Sequence, residues 1–286
     1  FTGNILSATR ATGTSQALGG GVLLEFQIFD AALVDFAASC TDCEFRDNML
    51  SAPNGFTSGG GLWVYRLTIN ALMPPVTRDV AIAAERCKFI GNRMAAGIGS
   101  RGAAAHVYFA SNVVTDSSLS SNVTNVSTRF SGCEFSSSVA TADSYALGGA
   151  VDVAYENGIG TSTSFHRCHF NNNIAASSDR IALGGAIHSA FVGTTIDSSF
   201  TVLDCAFGSN SAGGGGGVHL EGGSSVTALV SQSRFQNNTA SRGAGGGLNL
   251  VAFVAMEIAI VGSHFTRNLA LVQGAGVSAV QNTPNA

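Results

Sequence analysis

The stretch SRFQNNTASRGAGGGLNLVAF, residues 233–253, decides the fold of this chain. It holds a Phe-x-x-Asn motif (Phe235–Asn238), then a glycine cluster (Gly245–Gly247), then a run of strand-forming residues (Leu248–Phe253). A glycine-rich loop that binds phosphate is followed by a helix and by a Lys-Ser or Lys-Thr pair, and neither follows these glycines. The cluster therefore predicts a turn that the architecture itself requires.

The same two motifs recur along the whole chain. Eight copies of the first motif begin at Phe1, Phe45, Phe89, Phe135, Phe170, Phe207, Phe235 and Phe265. Each is followed by a cluster of small residues, and these clusters begin at Gly19, Gly59, Gly102, Gly148, Gly184, Gly215, Gly245 and Gly274. The spacing from Phe to Phe varies from 28 to 46 residues. Variable spacing between fixed anchors is typical of a solenoid whose loops differ in length.

Three short strands are predicted in each repeat, as the copy that leads into Phe89 shows. One strand follows the glycines (LWVYRL, 62–67), one precedes the next motif (DVAIAAE, 79–85) and one ends at the motif (RCKFI, 86–90). They are rich in β-branched and aromatic residues, and helical periodicity is absent. The sequence predicts an all-β fold, a right-handed parallel β-helix solenoid of about eight coils. It would form one domain over residues 1–286, either a segment of a longer chain or a subunit stacked end to end.

The alternation of Phe-x-x-Asn with Gly-Gly-(Ala/Gly)-(Ile/Val/Leu) resembles the repeats of the chlamydial polymorphic outer-membrane proteins and of related pectin-lyase-like β-helix adhesins. The resemblance covers the whole chain, in eight copies. It is broken at Ser138, where the Asn is missing, and at Ala103–Ala105, where glycines are replaced. The resemblance implies the fold, whereas function has to be argued from the residues of a site.

Equivalent residues of successive coils should form columns about 4.8 Å apart if the coils stack in register. The phenylalanine ladder contains Phe45, Phe89, Phe135, Phe170, Phe207, Phe235 and Phe265, and the asparagine ladder contains Asn48, Asn92, Asn173, Asn210, Asn238 and Asn268. Stacked Asn amides can hydrogen-bond along their column, and Asn tolerates the left-handed backbone of a turn. Residues two apart in a strand face the same side, so a cysteine column shares the interior with the phenylalanines: Cys43, Cys87, Cys133, Cys168 and Cys205.

The cysteine column leaves two alternatives open. Neighbouring Cα atoms about 4.8 Å apart permit a bridge such as Cys43–Cys87, but parallel Cβ vectors aim the sulfurs poorly. Ser233 and Ser263 replace Cys in the last two coils, which favours small buried side chains without bridges. Cys40 is expected to lie off the column. No metal site is predicted, because interior thiols without nearby histidines form an unsuitable ligand set.

Charged residues are expected on the outside of the stack. The positions directly before the phenylalanines are Glu44, Lys88, Glu134 and His169. Two positions further back, Asp42 would lie beside Arg86, and Arg167 beside Asp204. Opposite charges on neighbouring strands form weak exposed pairs.

One outward column carries the candidate chemistry. It consists of Leu23, Trp63, His106, Asp152, His188, His219, Asn249 and Ser278. The His106–Asp152–His188–His219 part could bind a metal ion or serve acid–base chemistry, or it could be a polar exposed face. No second carboxylate or nucleophile converges on it in the sequence, and polysaccharide-cleaving β-helices need clustered carboxylates. We therefore predict no catalytic residue and no cofactor.

Composition narrows the environment. The net charge is −4 and there is no basic stripe, which argues against a nucleic-acid partner. No run of 18 apolar residues exists, which argues against a membrane span. Sequons at Asn122, Asn125 and Asn237 favour an extracellular or cell-surface protein.

Two hypotheses about function follow. The first is a non-enzymatic structural or adhesive β-helix of a surface fibre or filament, whose partners are other subunits, flanking coils of the same chain or glycans. The second is a carbohydrate-binding or polysaccharide-cleaving module. A sugar bound beside the His106–His219 column would favour the second.

Overall fold

The computed structural model describes residues 1–7, 15–28, 33–34, 37–68, 77–110, 123–179, 181–193, 195–223 and 225–281. These residues form strands, turns and bends without any helix, and their five sheets are all parallel. The predicted all-β class is confirmed. In the same residues, no helix has the length and apolar character to cross a membrane.

The sheets are named I to V in the order in which a repeat passes through them after its Phe motif. Sheet I contains Glu44–Arg46, Lys88–Ile90, Glu134–Ser136, His169–Asn171, Ala206–Gly208, Arg234–Gln236 and His264–Thr266. Sheet II contains Ile5–Ser7, Met49–Ala52, Arg93–Ala96, Val139–Ala142, Ile174–Ser177, Ser211–Ala212, Thr239–Ala240 and Leu269–Ala270. Sheet III contains Ser15–Leu18, Gly55–Ser58, Gly99–Arg101, Tyr145–Leu147 and Ile181–Leu183.

The two remaining sheets have the longest strands. Sheet IV contains Val22–Ile28, Leu62–Thr68, Ala105–Ala110, Val151–Glu156, Ile187–Val192, Val218–Gly222, Leu248–Ala252 and Val277–Gln281. Sheet V contains Leu33–Val34, Ala37–Thr41, Thr77–Glu85, Val123–Ser131, Gly158–Ile159, Ser162–His166, Ser198–Leu203, Val226–Ser231 and Met256–Val261.

Equivalent residues of neighbouring repeats lie side by side in each sheet. In sheet I, Phe89 pairs with Phe45 on one side and with Phe135 on the other. In sheet IV, Asp152 pairs in the same way with His106, and further pairings continue that column. The predicted register is confirmed, so side chains that recur in the repeats form continuous columns.

The repeats that begin at Phe45, Phe89, Phe135 and Phe170 each contribute to all five sheets, and those that begin at Phe207 and Phe235 contribute to four, so the prediction of three strands per repeat is wrong. The predicted strand RCKFI is divided, because Arg86 has a φ of 51° and turns the chain between sheet V and sheet I. The segment between the Asn motif and the glycines forms strands of sheets II and III, such as Met49–Ala52 and Gly55–Ser58. Strands of two to four residues are too short to show the alternating pattern from which strands are predicted.

The phenylalanine ladder forms the centre of the core. From Phe45 to Phe265, neighbouring rings stack with their centroids 4.5–4.8 Å apart and their planes within 8° of parallel. The rings from Phe45 to Phe235 are buried. A stacked aromatic pair contributes about 0.5–1.5 kcal/mol beyond the burial of its area. The ladder therefore couples each repeat to the next.

The asparagine ladder is hydrogen-bonded on both sides of Ser138, where it is interrupted. The Nδ2 atoms of Asn173, Asn210 and Asn238 each donate to the Oδ1 atom of the next Asn, at 3.0 Å, and the last of these acceptors is Asn268. Each amide also donates to a backbone carbonyl of the preceding repeat. The left-handed backbone, predicted at the ladder, lies instead at the preceding exposed residue, as at Asn237 with a φ of 56°. The exposed neighbour makes the turn because the Asn amide has to point inward to reach its column.

The glycine clusters make a sharp turn between sheets III and IV. Gly148 has a φ of 61°, and a Cβ atom there would lie 2.0 Å from the Val151 carbonyl oxygen. Gly184 is placed in the same way against Ile187. Only glycine permits such a turn. It folds sheet III toward the outer face of sheet IV and leaves a groove between the two sheets.

The predicted exposed charges and ion pairs are present. Arg86 Nη2 lies 2.7 Å from Asp42 Oδ2, and Arg167 Nε lies 3.6 Å from Asp204 Oδ2. All four side chains are more than half exposed, so water and salt screen the pairs and they add little stability. The residues before the phenylalanines are exposed as well: Glu44, Lys88, Glu134 and His169.

The cysteines are free thiols: Cys40, Cys43, Cys87, Cys133, Cys168 and Cys205. Cys40, predicted to lie off the column, places its sulfur 3.5 Å from Cys87 Sγ. It reaches this position because it pairs with Ala84 near the end of a sheet V strand, directly before the turn that leads to Cys43. The Cys40 sulfur therefore lies beside that of Cys87, and the bridge Cys43–Cys87 is not formed.

Candidate ligand-binding groove

The column predicted on the outside of sheet IV lines the groove between sheets III and IV. The pairings join Trp63, His106, Asp152, His188, His219, Asn249 and Ser278 in that order. The structure contradicts the prediction that this face is exposed, because each of the three histidines is at most 4% exposed and Asp152 is fully buried. Sheet III lies against the part of the column from His106 to His188: Arg101 Nη1 is 3.9 Å from Asp152 Oδ2, and Leu183 lines a cavity together with His188.

Aromatic side chains line one end of the groove, around a cavity of about 450 Å³. The rings of Trp63 and Tyr65 stack at 5.0 Å, and Tyr65 stacks on Tyr108 at 5.6 Å. From sheet III, Tyr145 contributes a further ring to the lining. The Arg101 guanidinium lies over the Tyr108 and Tyr145 rings, 5.9 Å and 5.7 Å from their centroids. Arg101 thus lies between the aromatic rings of the two sheets.

Asp152 is the centre of a buried polar cluster next to this cavity. Its Oδ1 atom accepts a hydrogen bond of 2.6 Å from His188 Nδ1. Its Oδ2 atom lies 3.2 Å from His106 Nε2, without hydrogen-bond geometry, and 3.9 Å from Arg101 Nη1. Since Asp152 has no exposed surface, its carboxylate interacts with these neighbours and is not available to a substrate.

Burial and charge together set the protonation of the cluster. Burial by itself disfavours the imidazolium of His188, but the Asp152 carboxylate outweighs it and raises the pKa of His188 to about 9. Burial likewise disfavours the Asp152 carboxylate, but His188 and Arg101 hold its pKa below the ordinary value. Burial lowers the pKa of His106 to about 4. At neutral pH, in the chain without bound ions, Asp152 and His188 form an ion pair, and His106 is neutral.

Glu221 adds a second carboxylate that the sequence analysis missed. It lies beside His219, with Oε1 3.1 Å from His219 Nε2, and 3.9 Å from His188 Nε2. Both Glu221 and His188 line a second cavity, of about 300 Å³, which shares Arg101 and Tyr108 with the first. The strand period of two would have revealed it, because Glu221 follows His219 by two positions and faces the same side.

The aromatic lining was missed for a different reason. Arg101 and Tyr145 belong to sheet III, whose strands were not predicted, so the sequence offered no face on which to place them. Trp63 was placed correctly in the column. Tyr65 and Tyr108 again follow column residues by two positions.

Two of the three predicted glycosylation sites lie in the described residues. Asn125 and Asn237 are exposed, although Asn125 Nδ2 donates to Asp79 Oδ1 at 2.9 Å. Asn122 lies outside the described residues.

The chain matches no protein-family model, no curated protein and no solved structure. The resemblance to polymorphic outer-membrane proteins rests on the repeat motifs, and it stays a prediction.

Proposed function

We propose that this chain is a right-handed parallel β-helix of about eight coils. We further propose that it acts as a non-enzymatic adhesive module of the cell surface and binds an extended polysaccharide in the groove between sheets III and IV. The observation that carries the proposal is the row of aromatic rings along this groove, with a cation among them. In our proposal the rest of the stack holds this surface rigid.

The lining of the groove suits a sugar chain. Sugar rings present apolar C–H groups that pack on aromatic rings, and Tyr65, Tyr108 and Tyr145 are partly exposed in the lining of the groove. The Arg101 guanidinium supplies directional donors for sugar hydroxyls or carboxylates. The two cavities share lining residues, so the groove extends along the stack and fits a linear polymer better than a single compact ligand.

The geometry favours binding over cleavage. Polysaccharide hydrolysis needs two carboxyl groups flanking the scissile bond. Asp152 is fully buried and bonded to His188. Two glutamates line the second cavity, and both already have protein partners: Glu156 accepts a hydrogen bond of 2.6 Å from the Tyr108 hydroxyl, and Glu221 lies 3.1 Å from His219 Nε2.

Glycan-array binding followed by calorimetry tests the proposal. We expect one class of linear polysaccharide to bind, and Tyr145→Ala to weaken its binding about tenfold, which corresponds to about 1.4 kcal/mol. Phe253→Ala is the matched control, since Phe253 is 39% exposed and does not line the groove. Absence of binding to any polysaccharide, or equal affinities for the two variants, would contradict the proposal.

A structural role is the second candidate, and exposed apolar residues in the last repeat favour it. In the last strand of sheet V, Ile258 and Ile260 are 39% and 38% exposed, whereas their partners in the preceding repeat, Ala228 and Val230, are buried. We propose that a further repeat covers this edge, either from the same chain or from a second copy. Concentration-dependent association in sedimentation velocity, abolished by Ile260→Lys, is the expected result for a second copy. A chain that stays monomeric at all concentrations would contradict self-stacking.

A further inference from the structure

Three potential metal ligands converge at one end of the groove. His188, His219 and Glu221 offer two imidazole nitrogens and a carboxylate oxygen, all within 4.8 Å of one another. The Glu221 Oε1 atom lies 3.1 Å from His219 Nε2 and 3.9 Å from His188 Nε2. Ligands bound to zinc at about 2.0–2.2 Å in tetrahedral geometry are about 3.3 Å apart. The distances from Glu221 to the two histidines therefore differ from those of a zinc site by about 0.6 Å or less.

The environment of His188 is that of a metal ligand. Its Nδ1 atom is held by Asp152 Oδ1 at 2.6 Å, and its Nε2 atom is buried without a hydrogen-bond partner. The 3.9 Å to Glu221 is too long for a hydrogen bond. A carboxylate on one imidazole nitrogen, with the other nitrogen on the metal, is the usual arrangement around metal-bound histidines. An ion between His188 and Glu221 would be coordinated by the unpartnered nitrogen of His188.

His219 fits the same role once the Asn249 amide is oriented. Asn249 Nδ2 lies 3.0 Å from His219 Nδ1, while Asn249 Oδ1 is buried without a partner. Amide nitrogen and oxygen are assigned from the surrounding hydrogen bonds, so the flipped amide is equally acceptable. In that orientation Asn249 Oδ1 accepts from His219 Nδ1–H, and the lone pair of Nε2 points to the ion. The second histidine then has an outer partner like the first.

We propose that His188 Nε2, His219 Nε2 and the Glu221 carboxylate bind a divalent transition-metal ion, with zinc as the best match. Two nitrogens and one carboxylate oxygen are a ligand set that zinc accepts, and neither calcium nor magnesium favours imidazole. The adjoining cavity of about 300 Å³ leaves the fourth position open to water or to an oxygen of a ligand. Asp152 and Asn249 are positioning residues. The site does not depend on polysaccharide binding.

Zinc titration of the chelator-treated full chain tests the site. Cys40→Ser is introduced into every protein of the series, because Cys40, Cys43 and Cys87 form a second group of potential ligands. Calorimetry with zinc chloride should give one equivalent bound. Cobalt chloride should give the intense visible absorption of tetrahedral cobalt, displaced by zinc. No binding at all would overturn the proposal and leave the ion pair of Asp152 and His188 as the whole role of the cluster.

Variants locate the ion. Glu221→Gln and His219→Gln should each lower the affinity at least tenfold, and Asp152→Asn should lower it about 10–100-fold through His188. His106→Gln is the matched control, since it lies in the same column but outside the ligand group. Glu221→Gln is nearly isosteric and its side chain is 25% exposed, so far-ultraviolet circular dichroism should show that it folds normally. One equivalent bound with unchanged affinity in Glu221→Gln and His219→Gln would overturn the assignment.

Discussion

Removing one amide from the asparagine ladder should destabilise the fold far more than removing an exposed amide of the same type. Asn210 is fully buried and its amide makes four hydrogen bonds. It accepts from the Asn173 backbone N–H and Nδ2, and it donates to the Phe170 carbonyl and to Asn238 Oδ1. At about 1 kcal/mol for each bond, Asn210→Ala should cost about 4 kcal/mol of unfolding free energy.

Two further variants make this prediction specific. Asn171→Ala changes an exposed Asn of sheet I and should stay within about 0.5 kcal/mol of the native chain. Asn210→Ser should recover little of the loss. At Ser138, which occupies the same column, the hydroxyl is buried without a hydrogen-bond partner, and the bond of 3.0 Å to Asn173 Oδ1 comes from the backbone N–H, which an alanine also has.

Urea unfolding followed by circular dichroism measures these differences. The comparison requires that the slope of the unfolding free energy against urea concentration is the same for all variants, because a repeat protein can unfold in segments. Equal losses for Asn210→Ala and Asn171→Ala would refute the reasoning, because the ladder would then contribute nothing beyond its surroundings.

Three further predictions concern the core, the turn and the thiols. Phe170→Ala removes stacks of 4.6 Å and 4.8 Å and should cost about 3–5 kcal/mol in urea unfolding, whereas a cost below about 1 kcal/mol would contradict a continuous ladder. Gly148→Ala should cost more than about 2 kcal/mol, since its φ is 61° and the new Cβ would meet the Val151 carbonyl; an unchanged unfolding midpoint would contradict the strained turn. Mild oxidation should link Cys40 to Cys87, whose sulfurs lie 3.5 Å apart, and peptide mapping that finds Cys87 linked to another cysteine would contradict this.

The columns of equivalent residues could be predicted from the sequence, whereas two of the sheets could not, and the physical reasons differ. The columns of Phe, Asn and Cys could be predicted because parallel strands in register place equivalent residues of each repeat side by side. Sheets II and III could not, since their strands of two to four residues are too short for a pattern. Because the strands of sheet III were not predicted, the positions of Arg101 and Tyr145 in the groove lining were not predicted either. Glu221 could have been predicted, because the strand period of two places it on the same side as His219.

The sequence alone determined which side chains contact one another along the stack. A repeated motif in parallel strands in register places each residue beside the equivalent residue of the neighbouring repeat. Only the tertiary structure decided which sheets pack against each other across the stack. The angle at the Gly148 turn folds sheet III over the part of the column from His106 to His188 and changes a face predicted to be exposed into a buried polar cluster. The glycines mark the position of this turn in the sequence, but its angle depends on how the side chains of the two sheets pack against each other, which a sequence pattern does not show.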